Sequence, residues 1–129
     1  MSKFNIGKFP STRLRRLRMK EFSRRMVSEN KLCVDDLIWP LFVCEGNNVA
    51  EKINSMPGVF RFSIDNILKE LETATKLKIP AVAIFPQIDS SLKDENGSQA
   101  INENNLIWRT IKSIKKYFPD LGVICDVSL

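Results

Sequence analysis

The chain has 129 residues, of which 43% are hydrophobic, a size and composition that can bury the core of one domain. It contains no run of about 18 apolar residues that could span a bilayer, and its N-terminus is charged where a secretory signal is apolar, so we expect a cytoplasmic protein without a membrane partner. It has no histidine, and its three cysteines are widely spaced, so neither a disulfide framework nor a zinc knuckle is indicated.

The net charge of +5 is concentrated near the N-terminus. Residues 1–25 carry nine basic residues and one acidic residue, whereas the remainder carries 11 basic and 14 acidic residues. We interpret residues 1–34 as a basic N-terminal arm, in which Phe22 and Met26 predict a short helix from about Lys20 to Glu29. This helix has too few apolar positions to fold alone, so it needs a surface on which to pack.

Three apolar runs predict strands that are buried on both faces. They lie within Asp35–Gly46, at Ala81–Phe85 and at Val123–Val127. Pro40 removes one backbone donor from the first run, which suits a strand whose pairing changes partway. The dipeptide Pro57-Gly58 predicts a turn, followed by a short alternating stretch at residues 59–62.

Two amphipathic helices separate these strands. The first begins after Ser63, a candidate N-cap, and ends before Pro80; the second has an apolar stripe that includes Ile107, Ile111 and Ile114. The order strand, helix, strand, helix, strand predicts an α/β fold of parallel units with right-handed crossovers. Three strands leave a sheet edge and a sheet face uncovered, so we expect the pattern to continue beyond Leu129.

The carboxyl ends of the predicted strands mark a candidate site. In parallel β/α folds the chemistry gathers at this edge, so Cys44 or Glu45, Phe85 and Asp126 should share one rim. Taken alone, Asp126 is better explained as a structural carboxylate that caps a turn. The three cysteines are better explained as small buried hydrophobes than as reactive thiols.

The basic arm has several alternative interpretations. It could bind nucleic-acid phosphates, lie on an acidic membrane or be a targeting segment, but it lacks the interleaved aromatics of a single-strand binder. An arm that docks on protein is therefore favoured, without a nucleic-acid partner. A noncatalytic basic-arm interaction protein, or a nucleic-acid-binding α/β protein, stays open as the alternative function.

Six motifs in chain order resemble one enzyme family. They are RLRRLR, DDLIWPLFVCEG, SMPGVFRFSID, KIPAVAIFP, LKDENGSQA and FPDLGVICDVSL. The sequence from about Phe9 to Leu129 is similar to the N-terminal portion of porphobilinogen synthases, also called δ-aminolevulinic acid dehydratases. The resemblance implies that residues 35–129 form the first three β/α units of a (β/α)8 TIM barrel. It also implies that the arm, residues 1–34, contacts another subunit of a homo-oligomer, typically an octamer.

The resemblance implies a lyase activity for the intact enzyme. The family condenses two molecules of 5-aminolevulinate to porphobilinogen, with loss of water, in tetrapyrrole and haem biosynthesis. Two lysines hold the substrates as Schiff bases, and both lie on later strands, so no lysine of this chain, Lys93 included, takes that role. We therefore expect the 129-residue chain alone to be inactive, and poorly soluble or partly folded.

The resemblance also assigns residues near the end of the chain. Asp126 matches an aspartate that lines the active site, and Phe85 and Ser128 match the substrate pocket. Zinc-dependent members have a cysteine, the first of three zinc ligands, at the position of Ser128. Because serine is a poor zinc ligand, zinc is disfavoured for the intact enzyme, and the resemblance favours the zinc-independent branch, whose members often use magnesium. No residue of the chain is assigned as a metal ligand.

Overall fold

The computed structural model describes residues 7–125, which divide into two units. One unit runs up to Leu32 and the other starts at Cys33. The first contains a 3-10 turn at Arg16–Arg18 and helix α1, Glu21–Met26, which lies within the predicted 20–29 helix but is shorter. Ser23 is the buried residue of α1, while Phe22 and Met26 are exposed. The helix thus presents its apolar side chains rather than enclosing them.

The second unit is built on a sheet of five strands. In chain order these are β1 (Ile38–Val43), β2 (Ala50–Lys52), β3 (Phe60–Phe62), β4 (Ala81–Pro86) and β5 (Gly122–Cys125). Their order across the sheet is β2-β3-β1-β4-β5. β1, β4 and β5 are parallel neighbours, as the sequence predicted, so the α/β fold with parallel units is confirmed.

Two further strands correct the predicted count of three. β2 pairs with β3 in antiparallel fashion, and β3 lies parallel to β1 at its carboxyl end. The predicted turn is present between β2 and β3, where Gly58 adopts a φ of 82° that a side chain would strain. The residues of β2 are all exposed, so the sequence carries no apolar pattern that could have revealed this strand.

Pro40 lies at a position where the missing backbone amide donor removes no hydrogen bond to β4. The Cys44 amide donates to the Phe62 carbonyl on β3, and the Val43 carbonyl accepts from Gln87, which follows β4, so alternate residues of β1 bond to opposite neighbours. By this alternation Pro40 faces the β3 side. β3 pairs with β1 only at Phe42 and Val43, so the pairing of β1 does change partway, as predicted.

Two helices cover one face of the sheet. Helix α2, Ile64–Lys76, and helix α3, Leu106–Tyr117, pack on it and on each other. Buried side chains from alternate strand positions meet the helices in one core: Leu41, Val43, Val82, Ile84, Ile67, Leu71, Leu106, Ile114 and Leu121. Burying nonpolar side chains of this size contributes roughly 1.5–3 kcal/mol each, before the conformational entropy of ordering the chain is deducted.

Local contacts fix where the helices begin. Ser63 is at the N-cap of α2, as predicted, but its buried hydroxyl accepts from the Val49 amide, 2.8 Å away, rather than from the first turn. The amides of Asn66 and Ile67 bond the Ser63 carbonyl instead. Asn105 caps α3, accepting the Trp108 amide at 2.8 Å. Both caps hold the helices against loops at the same edge of the sheet.

Gly122 allows β5 to approach β4 closely. A Cβ added there would lie 2.9 Å from the Cβ of Ala81 and 3.1 Å from the Pro80 carbonyl oxygen. This closeness lets the Gly122 amide donate to Pro80 at 2.9 Å, which starts the parallel pairing of the two strands.

Across residues 7–125, none of the helices has the length and hydropathy needed to cross a bilayer.

Candidate functional site

The carboxyl ends of the parallel strands form one edge of the sheet, as predicted. Cys44 and Glu45 follow β1, Pro86 ends β4, and Cys125 ends β5. The β4–α3 loop, residues 87–105, lies at this edge. Here the structure has a cleft of about 540 Å³, whose lining includes Glu45, Pro86, Leu92, Lys93, Trp108 and Cys125.

The two sides of this edge carry different residues. In the strand register Phe85 pairs with Phe42, and their rings lie 5.6 Å apart between centroids on the face that α2 and α3 do not cover. Cys125 pairs with Ile84, a buried residue of the helix-covered face. Phe85 therefore shares the rim with Glu45 and Cys125 but does not line the 540 Å³ cleft.

An ion pair joins the end of β1 to α3. Arg109, in the first turns of α3, donates to the carboxylate of Glu45, and its Nε donates to the Asn104 carbonyl at 3.0 Å. The two charged side chains are 43% and 64% exposed for arginine and glutamate respectively. Glu45 is thus placed at the rim as predicted, and its charge is matched by a partner that sequence reasoning did not find.

The cysteines near the rim do not resemble nucleophiles or metal-binding thiolates. Cys44 is buried, and desolvation raises the pKa of its thiol, with the charge of Glu51 as a smaller cause. Cys125 is half-buried, and burial again raises the pKa of the thiol. Since the thiolate is the reactive and metal-binding form, both side chains fit the predicted role of small buried hydrophobes. For Cys33 that prediction is wrong, because this residue, at the start of the second unit, is exposed.

Two aspartates organise the β4–α3 loop from within. Asp89 accepts the Ser91 amide at 2.8 Å and the Ser91 hydroxyl at 2.7 Å, and these bonds lower the pKa of its carboxyl. Asp94 accepts the amides of Ser98 and Asn96 at 2.9 and 3.1 Å, and bonds from Ser98 are the main reason that its pKa is lowered. Both carboxylates therefore accept hydrogen bonds within local turns of the loop.

Lys93 is exposed within the same loop. A Schiff-base lysine needs a partly desolvated pocket that favours its neutral amine, and an exposed side chain has no such surroundings. That Lys93 has no catalytic role is still a prediction.

Asp126 and Ser128, the other two predicted site residues, lie outside the described residues. Within residues 7–125, no three side chains among cysteine, aspartate and glutamate are grouped so that they could hold a metal ion. Of the three predicted site residues, Phe85 alone lies within residues 7–125, and its role in the pocket is still a prediction.

Two features of the site escaped the sequence analysis. Asn105 directly precedes the apolar stripe of α3, which is an N-cap signal, so this cap could have been predicted. Its side-chain amide also donates to the Gln99 carbonyl at 2.8 Å, which fixes the end of the loop. The Glu45–Arg109 pair had no signal, because 64 residues separate its members.

Comparison with known proteins identifies one family. The family model for delta-aminolevulinic acid dehydratase matches residues 11–129. A delta-aminolevulinic acid dehydratase from Bradyrhizobium diazoefficiens is 56% identical over 117 residues, which are 91% of this chain and 33% of the relative. One from Ruminiclostridium josui is 42% identical over 117 residues, covering 91% of this chain and 56% of the relative.

A solved structure shares the fold. The crystal structure of delta-aminolevulinic acid dehydratase (porphobilinogen synthase) from Toxoplasma gondii ME49, in complex with its reaction product porphobilinogen, superposes with a TM-score of 0.81 at 36% identity. The match covers 92% of this chain and 33% of that one. The chain therefore spans about a third of the length of the Bradyrhizobium and Toxoplasma proteins that it matches.

Proposed function

Because the chain belongs to the delta-aminolevulinic acid dehydratase family, we propose that it supplies the N-terminal portion of an enzyme that condenses two 5-aminolevulinate molecules to porphobilinogen. The reaction is a lyase step of tetrapyrrole and haem biosynthesis, with loss of water. The observation that carries the proposal is the joint match of sequence and fold, over residues 11–129 and at a TM-score of 0.81. The rim described above is the edge at which such folds carry their chemistry.

A chimera tests this proposal. Residues 1–129 are joined to the remaining C-terminal portion of the Bradyrhizobium diazoefficiens relative, chosen for its 56% identity. We expect the chimera to form porphobilinogen from 5-aminolevulinate and the isolated chain to form none. A chimera that folds and assembles like the parental Bradyrhizobium protein but forms no product would contradict the proposal.

We expect the isolated chain to be inactive because of the proposed location of the Schiff-base lysines. The family resemblance puts both on later strands, and Lys93 of this chain is exposed rather than desolvated. Borohydride reduction in the presence of 5-aminolevulinate, followed by peptide mass spectrometry, should find substrate adducts of the chimera only outside residues 1–129. An adduct on Lys93, or on any other lysine of residues 1–129, would overturn this assignment.

We assign pocket roles to Asp126, Phe85 and Ser128 as part of the same proposal. Asp126 follows β5 directly in the sequence, and a carboxylate there could orient an ammonium group and assist proton transfer. Phe85 would form an apolar wall beside it. In the chimera, Asp126→Asn should lower kcat strongly while leaving assembly unchanged; an unchanged kcat would remove Asp126 from the site.

For the metal, we propose an enzyme of the magnesium-using branch. Ser128 stands where zinc-dependent relatives have a thiolate, and Cys125 pairs with Ile84 on the helix-covered face of the sheet, opposite the face of Phe85. By the family resemblance, the magnesium ligands would lie downstream of the strands described here. Metal analysis of the active chimera should find less than one equivalent of zinc per subunit in the presence of magnesium; stoichiometric zinc required for activity would contradict the assignment.

For partners, we propose a cytoplasmic homo-oligomer, an octamer by family resemblance, with the arm as the contact. The exposed Phe22 and Met26 of α1 support an arm that packs on another subunit. Replacing both by serine in the chimera should reduce the assembly size in sedimentation experiments. The nucleic-acid alternative predicts binding that falls steeply with salt, and we expect no such binding.

A further inference from the structure

The Glu45–Arg109 ion pair, called here the rim bridge, joins two residues that lie far apart in the sequence. Among residues 7–125, every other side-chain hydrogen bond or ion pair joins residues at most 17 positions apart, whereas the rim bridge joins residues 64 apart. It connects the carboxyl end of β1 to α3, two elements that belong to different β/α units.

Both ends of the rim bridge are anchored in the fold. Glu45 follows the buried Cys44, whose amide donates to the Phe62 carbonyl at 2.9 Å. Arg109 donates through Nε to the Asn104 carbonyl, at the end of the β4–α3 loop. Its planar guanidinium can serve both acceptors at once, which the ammonium of lysine does less well.

The cap of α3 links the same arginine to the rest of the loop. Asn105 bonds both the Trp108 amide and the Gln99 carbonyl, at 2.8 Å each. The segment from Gln99 to Asn105 is therefore fixed to α3, and the rim bridge fixes α3 to the end of β1. Glu45, Gln99, Asn104 and Asn105 all line the cleft at the carboxyl edge.

The exposure of the rim bridge indicates that global stability is not its main contribution. Ion pairs this exposed contribute little to folding, because water and salt screen them. What the rim bridge adds is a restraint on geometry: it limits how far the β4–α3 loop can move from the strand end that it overlies.

We propose that Glu45 and Arg109 are positioning residues that hold the β4–α3 loop at the rim, beside the proposed substrate pocket. The effect on turnover rests on the proposed porphobilinogen-forming function, whereas the effect on the loop does not. Without the rim bridge the loop samples open positions, so substrate binding loses part of its pre-organised site while the chemical groups stay in place.

The test uses the chimera described above. Glu45→Gln and Arg109→Gln each remove one charge, and the exchanged pair Glu45→Arg with Arg109→Glu restores attraction in the opposite sense. Lys112→Gln is the matched control, since Lys112 loses the same charge one turn further along α3 and makes no side-chain bond among residues 7–125. The readouts are KM and kcat for 5-aminolevulinate, and hydrogen–deuterium exchange of loop peptides.

We expect Glu45→Gln and Arg109→Gln each to raise KM roughly two- to fivefold with kcat nearly unchanged. The expected change in KM is small because an exposed ion pair contributes little free energy. Exchange in residues 87–105 should quicken in both, the exchanged pair should recover part of the loss, and Lys112→Gln should match the parent. High salt should raise the parental KM toward that of the variants.

The two proposals can fail separately. If the chimera makes product and both variants match Lys112→Gln in KM and in loop exchange, the positioning role is overturned. If the chimera makes no product but loop exchange quickens in both variants and not in Lys112→Gln, the rim bridge stands and the proposed enzymatic function falls. Additive effects in the double variant Glu45→Gln with Arg109→Gln would also contradict a shared role.

Discussion

Phe42 and Phe85 face each other across neighbouring parallel strands, with ring centroids 5.6 Å apart and ring planes tilted by 31°. Both are half-buried, and both lie on the sheet face that α2 and α3 leave uncovered. Phe85 stands one residue before the end of β4, beside the rim at which we propose the chemistry occurs. The pair therefore links packing on the uncovered face to the wall of the proposed pocket.

Replacing Phe85 by alanine should affect both stability and substrate binding. Losing part of a half-buried ring and its aromatic partner should cost about 1–3 kcal/mol, less than for a fully buried phenylalanine. In the chimera, thermal unfolding should shift downward and KM should rise. Phe60→Ala is the control, because Phe60 also stacks on a phenylalanine, Phe62, but lies outside the rim. A KM that rises equally in both variants would remove the specific role of Phe85.

The core predicts a contrast between a leucine within α2 and the leucine at its C-cap. Leu71 is fully buried in the core, whereas Leu77, at the C-cap of α2, is 58% exposed. Leu71→Ala should cost about 2–5 kcal/mol, since it loses buried area and leaves a cavity. In thermal unfolding of the chimera, Leu77→Ala should stay close to the parent. Equal shifts for the two variants would contradict the described packing.

The three cysteines should react at different rates. Cys33 is exposed, whereas Cys44 is buried and desolvation raises the pKa of its thiol. With iodoacetamide at pH 8, Cys33 should be modified first, Cys125 more slowly, and Cys44 only when the chain opens. Peptide mass spectrometry reads the order, and Cys33→Ser should abolish the fast phase. Modification of Cys44 at the rate of Cys33 would show that the strand end is not packed as described.

The turn around Asp94 should respond to acid. Bonds from Ser98 hold the pKa of the Asp94 carboxyl below its ordinary value of 3.8. A depressed pKa means that the carboxylate supports the turn above about 3.8 and that this support is lost as pH falls through the lower, folded-state value. The Ser98 amide resonance should therefore titrate with a midpoint below 3.8, and the titration should disappear in Asp94→Asn. A midpoint at or above 3.8 in the parent would contradict the bonding at Asp94.

Much of the parallel framework could be predicted from local patterns. β1, β4 and β5 are apolar runs, and α2 and α3 carry apolar stripes whose buried members include Ile67 and Ile114. Such elements are buried on a fixed period, so the sequence records them. Ser63 was predicted as a cap, and only its bonding partner differs.

The remainder depends on contacts between distant residues. β2 has no buried residue. It forms a strand because Ala50–Lys52 pairs with β3 across the Pro57-Gly58 turn. The charges of Glu45 and Arg109 are ordinary in their local sequence and become a pair only when β1 and α3 are brought together. The side of the sheet on which Phe85 and Cys125 lie likewise follows from register, which one strand alone does not specify.

The most direct test of the central claim is the specific activity of the chimera. We predict a kcat/KM for porphobilinogen formation within roughly tenfold of the parental Bradyrhizobium diazoefficiens protein, since 56% identity should preserve the strand ends that form the rim. A chimera that folds and assembles as the parent does, yet shows no turnover of 5-aminolevulinate above the isolated chain, would contradict the claim.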